Sequence, residues 1–299
     1  MMEQYRTPLM FAMMAALLAI VGIFQSWNVA LTIVNLCLIS SIMTLGVNIQ
    51  WGYAGLVNFG MMGFTALGGL AAVLIAMPPV PDAWAAGGSG VMAGLAIIVV
   101  TAIVSLLIWK KLKGSGVKRY WLTALSIIIG VVTMRLVADP SIAAIESVES
   151  ARTGYLGGFG LPVTLSWIVG GFVAAGAAFV IGRISLGLRS DYLAIATLGI
   201  SDIVIYVLKN EDWLARGVKN INGLPRPVPY EIELQETPWV SQLADMLGAS
   251  VVDVSTIMVK LSYAGLFTVV LLIFLWLSEV ALRSPWGRMM RAIRDNEVA

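Results

Sequence analysis

The chain has 299 residues, of which 59% are hydrophobic and 12% are charged, and its formal net charge at pH 7 is +2. Soluble globular domains contain about 25% charged residues, so this composition predicts a membrane protein, and the small net charge gives no reason to expect a nucleic-acid partner. The sequence has no histidine and one cysteine, Cys37. It therefore excludes an intrachain disulfide, histidine-ligated zinc or haem, and any catalytic site that needs a histidine.

Several segments are long and apolar enough to cross the hydrocarbon layer, which takes about 20 helical residues. In chain order they are 8–25, 29–49, 61–77, 91–109, 120–138, 161–182, 190–208 and 256–282. The first is similar to a secretory signal, but its apolar run is long for one and no small-residue cleavage site follows. The sequence therefore predicts an all-α, polytopic membrane protein with about eight transmembrane helices.

Lysine and arginine are unevenly distributed between the connecting segments. With a cytoplasmic N-terminus, the cytoplasmic segments are 1–7, 110–119, 183–189 and 283–299. They hold twelve of the nineteen basic residues, whereas the opposite side receives eleven of the seventeen acidic residues. Because cytoplasmic loops are enriched in Lys and Arg, we predict that the N-terminus and the C-terminal tail are both cytoplasmic.

Polar residues recur along the second predicted span. Ser41, Thr44 and Asn48 follow a helical spacing and share one face, so they can line a cavity, although hydrogen bonds between helices explain them equally well.

The segment 50–60 interrupts the apolar pattern after the second span. Its glycines and polar residues include Gly52, Tyr53, Gly55, Asn58 and Gly60. Non-helical backbone at membrane depth occurs where it is buried in protein or lines a wet cavity, and broken helices often form transporter sites. We therefore predict a broken or re-entrant segment here, with a short cytoplasmic turn followed by close packing at glycines as the alternative.

Asp202 lies near the middle of the span 190–208. A charge at the bilayer centre costs about 2.5–3.5 kcal/mol on insertion scales, so Asp202 is expected to face the bundle interior or a wet cavity, or to be protonated. A hydrogen bond or ion pair to another helix, with Lys260 or Arg135, is the favoured interpretation. A proton relay is disfavoured because no second acid, histidine or lysine lies at mid-membrane depth.

The longest stretch without a transmembrane pattern is 209–255, on the predicted outer side. It contains several prolines, and 238–248 is predicted to form one short amphipathic helix. Loops of this length are usually functional or disordered. Its mixed charges suit the docking of a soluble partner, and a solvated linker is the alternative.

The tail 284–299, SPWGRMMRAIRDNEVA, directly follows the last span. Ser284 suits an N-cap and Pro285 the first helical position. At about 100° per residue, a helix here has arginines on one face and apolar side chains on the other. These are Arg288, Arg291 and Arg294, and Met289, Met290 and Ile293, respectively. From amphipathicity alone, this basic helix can dock on a partner or lie on anionic lipid.

The order of residues in the tail resembles the cytoplasmic coupling segment of bacterial ABC-importer permeases of the branched-chain amino-acid type. That segment reads roughly S-P-[apolar]-G-R-x-x-x-A-I-R-x-[DN]-E. The matching positions are Ser284, Pro285, Gly287, Arg288, Ala292, Ile293, Arg294, Asn296 and Glu297. Residues 52–60 resemble a second signature of the family, G-Y-[AS]-G-L-x-[SN]-[FL]-G, although Met61 and Met62 replace the usual His-Ala. The acidic residue at Asp202, together with the preceding residues 189–195, resembles a third signature of the family.

This resemblance implies a single transmembrane permease domain over 1–299, with branched-chain or related amino acids carried across the bacterial inner membrane. The implied partners are a second permease subunit, two cytoplasmic ATPase subunits, a periplasmic solute-binding protein and the lipid bilayer. Permeases of this family continue beyond the coupling segment, so the C-terminal part of the family fold is expected to be absent. The residues predicted to couple to the ATPases are Gly287, Arg288, Arg291, Ala292, Arg294 and Glu297. Those predicted for the translocation pathway are Gly52, Tyr53, Gly55, Asn58, Gly60 and Asp202.

No Walker A sequence occurs, so the chain is predicted to bind no cofactor and to use ATP through its partner subunits. No catalytic set and no metal site is predicted, which disfavours an enzyme. Two alternatives stay open. The same machinery can serve urea or short amides, and an ion-coupled secondary carrier needs no coupling helix but should show paired charges within the membrane.

Overall fold

The computed structural model describes residues 2–113, 116–149, 154–185 and 187–295, with side chains from Arg6 onward except that of Ser190. Over these ranges the ordered elements are α-helices and two π-helical turns, without a strand. The helices are α1 (Met2–Phe24), α2 (Trp27–Asn48), α3 (Met61–Ala76), α4 (Pro81–Ala83), α5 (Ser89–Lys111), α6 (Val117–Ser147), α7 (Val163–Ser185), α8 (Ser190–Asn210), α9 (Asp212–Ala215), α10 (Glu231–Gln235), α11 (Pro238–Leu247), α12 (Val251–Arg283) and α13 (Pro285–Asp295). The π-helical turns, Ile49–Tyr53 and Trp84–Gly88, continue α2 and precede α5.

Among the described residues, seven helices are long and apolar enough to cross a membrane. They are Arg6–Phe24, Trp27–Tyr53, Pro81–Lys111, Val117–Ser147, Val163–Ser185, Asp191–Asn210 and Val251–Arg283. The protein is therefore an all-α, multi-pass membrane protein, as the composition predicts.

The remaining predicted span, 61–77, forms the shorter helix α3. A helix over Met61–Ala76 is about 24 Å long at 1.5 Å per residue, which is less than the roughly 30 Å of a hydrocarbon layer. The helix agrees with the predicted segment to within one residue, so the apolar run itself is short for a full span.

One compact unit consists of Met1–Phe59, Leu188–Ile195 and Arg226–Ala299. Within it α12 packs along α2, α1 packs on α2, and α10, α11 and α13 pack on α12. Two polar contacts fix the N-terminal half of α2 against the N-terminal half of α12. The Lys260 Nζ donates to the Asn28 carbonyl over 2.8 Å, and the Asn35 Nδ2 donates to the Lys260 carbonyl over 3.1 Å.

The second compact unit consists of Gly60–Gly187 and Ala196–Pro225. Here α5 pairs with α6 and α3 pairs with α7. Small residues let the helices approach closely, as is common in membranes. A Cβ on Gly94 would lie 3.0 Å from the Ala138 Cβ, and the Ser105 and Ser126 hydroxyls lie 2.9 Å apart. That the two units together make one permease domain stays a prediction.

Candidate functional site

The predicted interruption after the second span is present, and its depth in the membrane, as a re-entrant segment or a short cytoplasmic turn, stays a prediction. The helix α2 runs into the π-helical turn Ile49–Tyr53, and the backbone then stays irregular from Gly55 until α3 begins at Met61. Gly55 has a φ of +71°, a left-handed conformation that glycine adopts without the steric cost of a Cβ. π-helical turns within α-helices are frequent at functional sites.

Side chains fold the break back onto the end of α2. The Asn58 Nδ2 donates to the Gln50 Oε1 over 3.0 Å, and the rings of Trp51 and Phe59 pack edge to face with centroids 6.4 Å apart. The Gln50 contact was not predicted, because nothing in a single sequence indicates which side chain Asn58 meets. The segment is therefore an ordered structure at the end of a long helix.

The predicted C-terminal helix forms as α13, directly after α12. Ser284 separates the two helices, and its Oγ accepts a hydrogen bond from the Trp286 backbone N–H over 3.2 Å. Gly287 is buried, and a Cβ at this position would overlap the carbonyl group of Leu282. Glycine is therefore required at 287 because the chain turns back tightly on the end of α12.

The three arginines of α13 have different surroundings. Arg288 is exposed. The Arg291 Nε donates to the Gly287 carbonyl of its own helix over 3.2 Å. The Arg294 Nη1 donates to the Gly52 carbonyl over 3.2 Å, and its Nε donates to the adjacent Asp295 Oδ1 over 3.1 Å. All three arginines are exposed, and Arg294 in addition binds another part of the chain.

The coupling motif predicted from the sequence also includes Ala292 and Glu297. Ala292 is exposed on α13. Glu297 lies outside the described residues.

The end of α13 also contacts the break itself. A Cβ built on Gly55 would lie 2.8 Å from the Arg294 Cγ, so the arginine stem rests on the glycine backbone. The structure thus joins the two sequence motifs that were predicted independently, one near residue 55 and one near residue 290. Of the predicted pathway residues, Gly52 and Gly55 meet α13, Tyr53 closes the π-helical turn, and Gly60 precedes α3.

The polar face of α2 lines a groove of about 700 Å³. Its polar residues are Ser40, Ser41, Thr44 and Asn48, and its apolar walls include Leu36, Leu45, Leu271 and Leu275. The Ser41 and Thr44 hydroxyls donate to carbonyls of the preceding turn, over 2.7 Å each, so their oxygen lone pairs remain as acceptors towards the groove. The groove reaches Asn48, whose Oδ1 lies against Gly52.

Asp202 is exposed on α8. Its neighbour Ser201 is buried and accepts the Gly63 backbone N–H over 2.8 Å. The two predicted partners of Asp202 bind other groups: Arg135 lies 4.0 Å from Asp139, and Lys260 binds a backbone carbonyl of α2. The place of Asp202 in the pathway stays a prediction.

The segment 209–255 contains the short helices α9, α10 and α11, and irregular backbone between them. Its role as a docking surface or as a solvated linker stays a prediction. Pro238–Leu247 forms the predicted short helix, whose Val240 and Ala244 are buried against Val254 of α12.

In the second unit, Arg216 is 7% exposed and donates to the Asn220 carbonyl over 2.7 Å. Burial raises the pKa of the Tyr155 hydroxyl, and the charge of Arg216 lowers it by less. The burial of Arg216 was not predicted, because its sequence context is that of an exposed loop.

Residues 120–299 match the profile of a family described as "Branched-chain amino acid transport system / permease component". The chain belongs to this family. The matched residues include α8, the outer segment and α13, whereas the break at 50–60 lies before them.

Two relatives from the same family support the assignment. The chain is 30% identical over 179 residues to "High-affinity branched-chain amino acid transport system permease protein LivM" of Escherichia coli K12 and to the protein of that name from Salmonella typhimurium LT2. In both cases the alignment covers 58% of this chain and 41% of the relative, so less than half of each relative is matched. No solved structure matches the chain.

Replacing Gly287 by valine tests the turn between α12 and α13. The added side chain must displace the Leu282 carbonyl, and overpacking of this kind costs about 1–3 kcal/mol, which is enough to shift the docking equilibrium of α13 by about 5- to 150-fold. With Cys37→Ala as background, spin labels at Trp51→Cys and Met289→Cys should give a narrow distance distribution. Both native side chains are 52% exposed.

We expect Gly287→Val to broaden or shift that distribution. Gly265→Val is the matched control, because Gly265 lies in α12 with open space around it. An unchanged distribution in Gly287→Val would show that the close turn is not what holds α13.

Proposed function

We propose that this chain is a permease subunit of an ATP-binding-cassette importer that moves branched-chain or related amino acids across a bacterial inner membrane. The observation that carries the proposal is α13, a basic helix that leaves the end of a 33-residue span and presents Arg288 to solvent. The named function of the two relatives agrees with it. A helix so placed can receive force from a cytoplasmic ATPase and deliver it to the spans.

The groove on α2 supports an amino acid with an aliphatic side chain as the solute. Leucine side chains form its walls, and hydroxyl and amide oxygens follow one line along α2. Apolar walls bind the aliphatic part of such a solute, while oxygen acceptors bind its ammonium group. Urea presents no apolar part to these walls, so the groove favours the amino acid.

We assign the remaining functions to partners. A second permease subunit would close the open side of the groove, and a periplasmic solute-binding protein would deliver the solute to the structured outer side. Two cytoplasmic ATPase subunits would bind and hydrolyse ATP, and this chain itself would bind no cofactor and catalyse no covalent step. The N-terminus and α13 would both be cytoplasmic, since this orientation places most of the basic residues inside.

ATP-driven closure of the ATPases would shift the permease between outward- and inward-facing states. An ion-coupled carrier has less support among the described residues. The two basic residues that could form an ion pair with Asp202 within the membrane bind other groups. Arg135 pairs with its neighbour Asp139 on the same helix, and Lys260 caps a backbone carbonyl.

Charge reversal at Arg288 tests the contact with the ATPase. If Arg288 pairs with a buried carboxylate there, Arg288→Glu should cost about 2–5 kcal/mol and lower complex formation by about 30-fold or more. The measurement is co-purification of the ATPase with the permease assembly, together with solute-stimulated ATP hydrolysis. Arg183→Glu at the cytoplasmic end of α7 is the control for charge alone.

If α13 merely lies on anionic lipid, each arginine contributes only about 1 kcal/mol. Arg288→Glu and Arg183→Glu would then cause similar, graded losses that depend on the anionic lipid content. That result would contradict the coupling assignment.

Labelling of single cysteines tests the orientation. In a Cys37→Ala background, a membrane-impermeant maleimide added from outside should react with Glu233→Cys but not with Lys113→Cys or Met290→Cys until the membrane is permeabilised. The reason is that the outer and cytoplasmic sides of the chain alternate with its spans. Reaction of Met290→Cys from outside would place α13 on the wrong side for an ATPase.

A further inference from the structure

The side chain of Arg294 caps the C-terminal end of α2. The last four carbonyls of a helix lack N–H partners within it, and the helix dipole places partial negative charge there. Gly52 lies in the π-helical turn Ile49–Tyr53 that continues α2, and its carbonyl accepts a hydrogen bond from the Arg294 Nη1 over 3.2 Å. Basic side chains stabilise helix ends in this way, but here the cation comes from a helix more than 240 positions away.

The stem of Arg294 is held as closely as its guanidinium group. Its Cγ would lie 2.8 Å from a Cβ on Gly55, and Gly55 itself has a φ of +71°. A larger residue at 55 would therefore both strain the backbone and push the arginine away. Polar and apolar parts of one side chain thus join α13 to the break at two neighbouring points.

The same end of α2 is continuous with the groove. Asn48 lines the groove and its Oδ1 lies against Gly52, whose carbonyl Arg294 binds. The Gln50–Asn58 hydrogen bond closes the returning chain over this turn. The contacts of Arg294 with Gly52 and Gly55 therefore connect α13 with the residues at the end of the groove.

Arg288 is placed differently. It lies six residues before Arg294, which turns it by about 120° around the helix axis. Both side chains are exposed, Arg294 to 45%, but the Arg294 guanidinium also donates to the Gly52 carbonyl. The two arginines therefore face different surroundings, although the sequence suggested one shared role.

We propose that Arg294 is an internal positioning residue that latches α13 to the C-terminal end of α2, and that it transmits movement of α13 to the groove without contacting the ATPase. This inference rests on the proposed importer function. It gives the two arginines of the basic helix different roles, Arg288 as the contact with the ATPase and Arg294 as the latch to α2. Loss of the latch should therefore separate ATP hydrolysis from transport.

Removal of the Arg294 side chain tests the latch directly. In the assembled complex in proteoliposomes, Arg294→Ala should bind the ATPase within about 3-fold of the wild type and retain ATP hydrolysis, while uptake of radiolabelled leucine per ATP falls at least 10-fold. Arg294→Lys should recover much of the uptake, because an ammonium group can still donate to the Gly52 carbonyl. Gly55→Val should reproduce the uncoupling from the opposite side of the contact.

A second readout requires no partner protein. The spin-label distance between positions 51 and 289, in the isolated chain with Cys37→Ala, should broaden in Arg294→Ala and in Gly55→Val but stay narrow in Arg288→Glu. Size-exclusion chromatography identifies variants that fail to fold, and Gly55→Val supplies the test if Arg294→Ala is one of them.

The outcomes distinguish the latch from the importer function. If Arg294→Ala loses the ATPase as Arg288→Glu does, Arg294 is an interface contact, and the latch is wrong while the importer function stands. If the distance and the leucine uptake are both unchanged, the latch is also wrong. If the distance broadens as expected but neither arginine affects ATPase binding or uptake, the latch exists and the proposed function fails.

Discussion

The structure depends on how the chain satisfies the backbone at the broken end of α2. The last carbonyl groups of a helix have no N–H partner within it and need other donors. Here the Gly52 carbonyl receives the guanidinium of Arg294. The requirement is local, but the donor comes from the other end of the chain, so the end of α2 and the helix α13 form one site. The groove on α2, the irregular segment after it and the basic helix α13 are consequently neighbours in the structure.

Glycine and other small residues make these approaches possible. Between helices in lipid the hydrophobic effect gives little net attraction, so close packing and hydrogen bonds have to hold the fold together. Gly287 lets α13 turn back on α12, and Gly55 lets the Arg294 stem rest on the backbone. Gly94 and Gly130 bring α5 and α6 together in the second unit, against Ala138 and Thr101.

Much of the architecture could be predicted from the sequence because lipid imposes simple rules. Length and apolarity located seven spans, and the pattern of the tail predicted α13 with its arginines and its Ser284 start. The helix α3 has nearly the predicted bounds, but its apolar run is short for a full span. The break at 50–60 was predicted from glycines, but its position against α13 was not.

The contacts that give the site its geometry could not be predicted from the sequence, for a physical reason. A single sequence records helical neighbours three or four residues apart, whereas Arg294 and Gly52 meet across 242 positions. For the same reason the sequence suggested Lys260 as a partner for Asp202, while the structure uses it to join α12 to α2. Three arginines on one helical face also looked equivalent until their surroundings were known.

The most direct test of the account is the energy source of transport. This chain, with its second permease subunit, ATPases and solute-binding protein, would be reconstituted in vesicles with ATP on the α13 side and radiolabelled leucine on the other. An ATP-driven importer of this kind should take up leucine only when ATP is present. The uptake should persist when proton and sodium gradients are abolished, and excess urea should not inhibit it. Uptake driven by an ion gradient without ATP would contradict it.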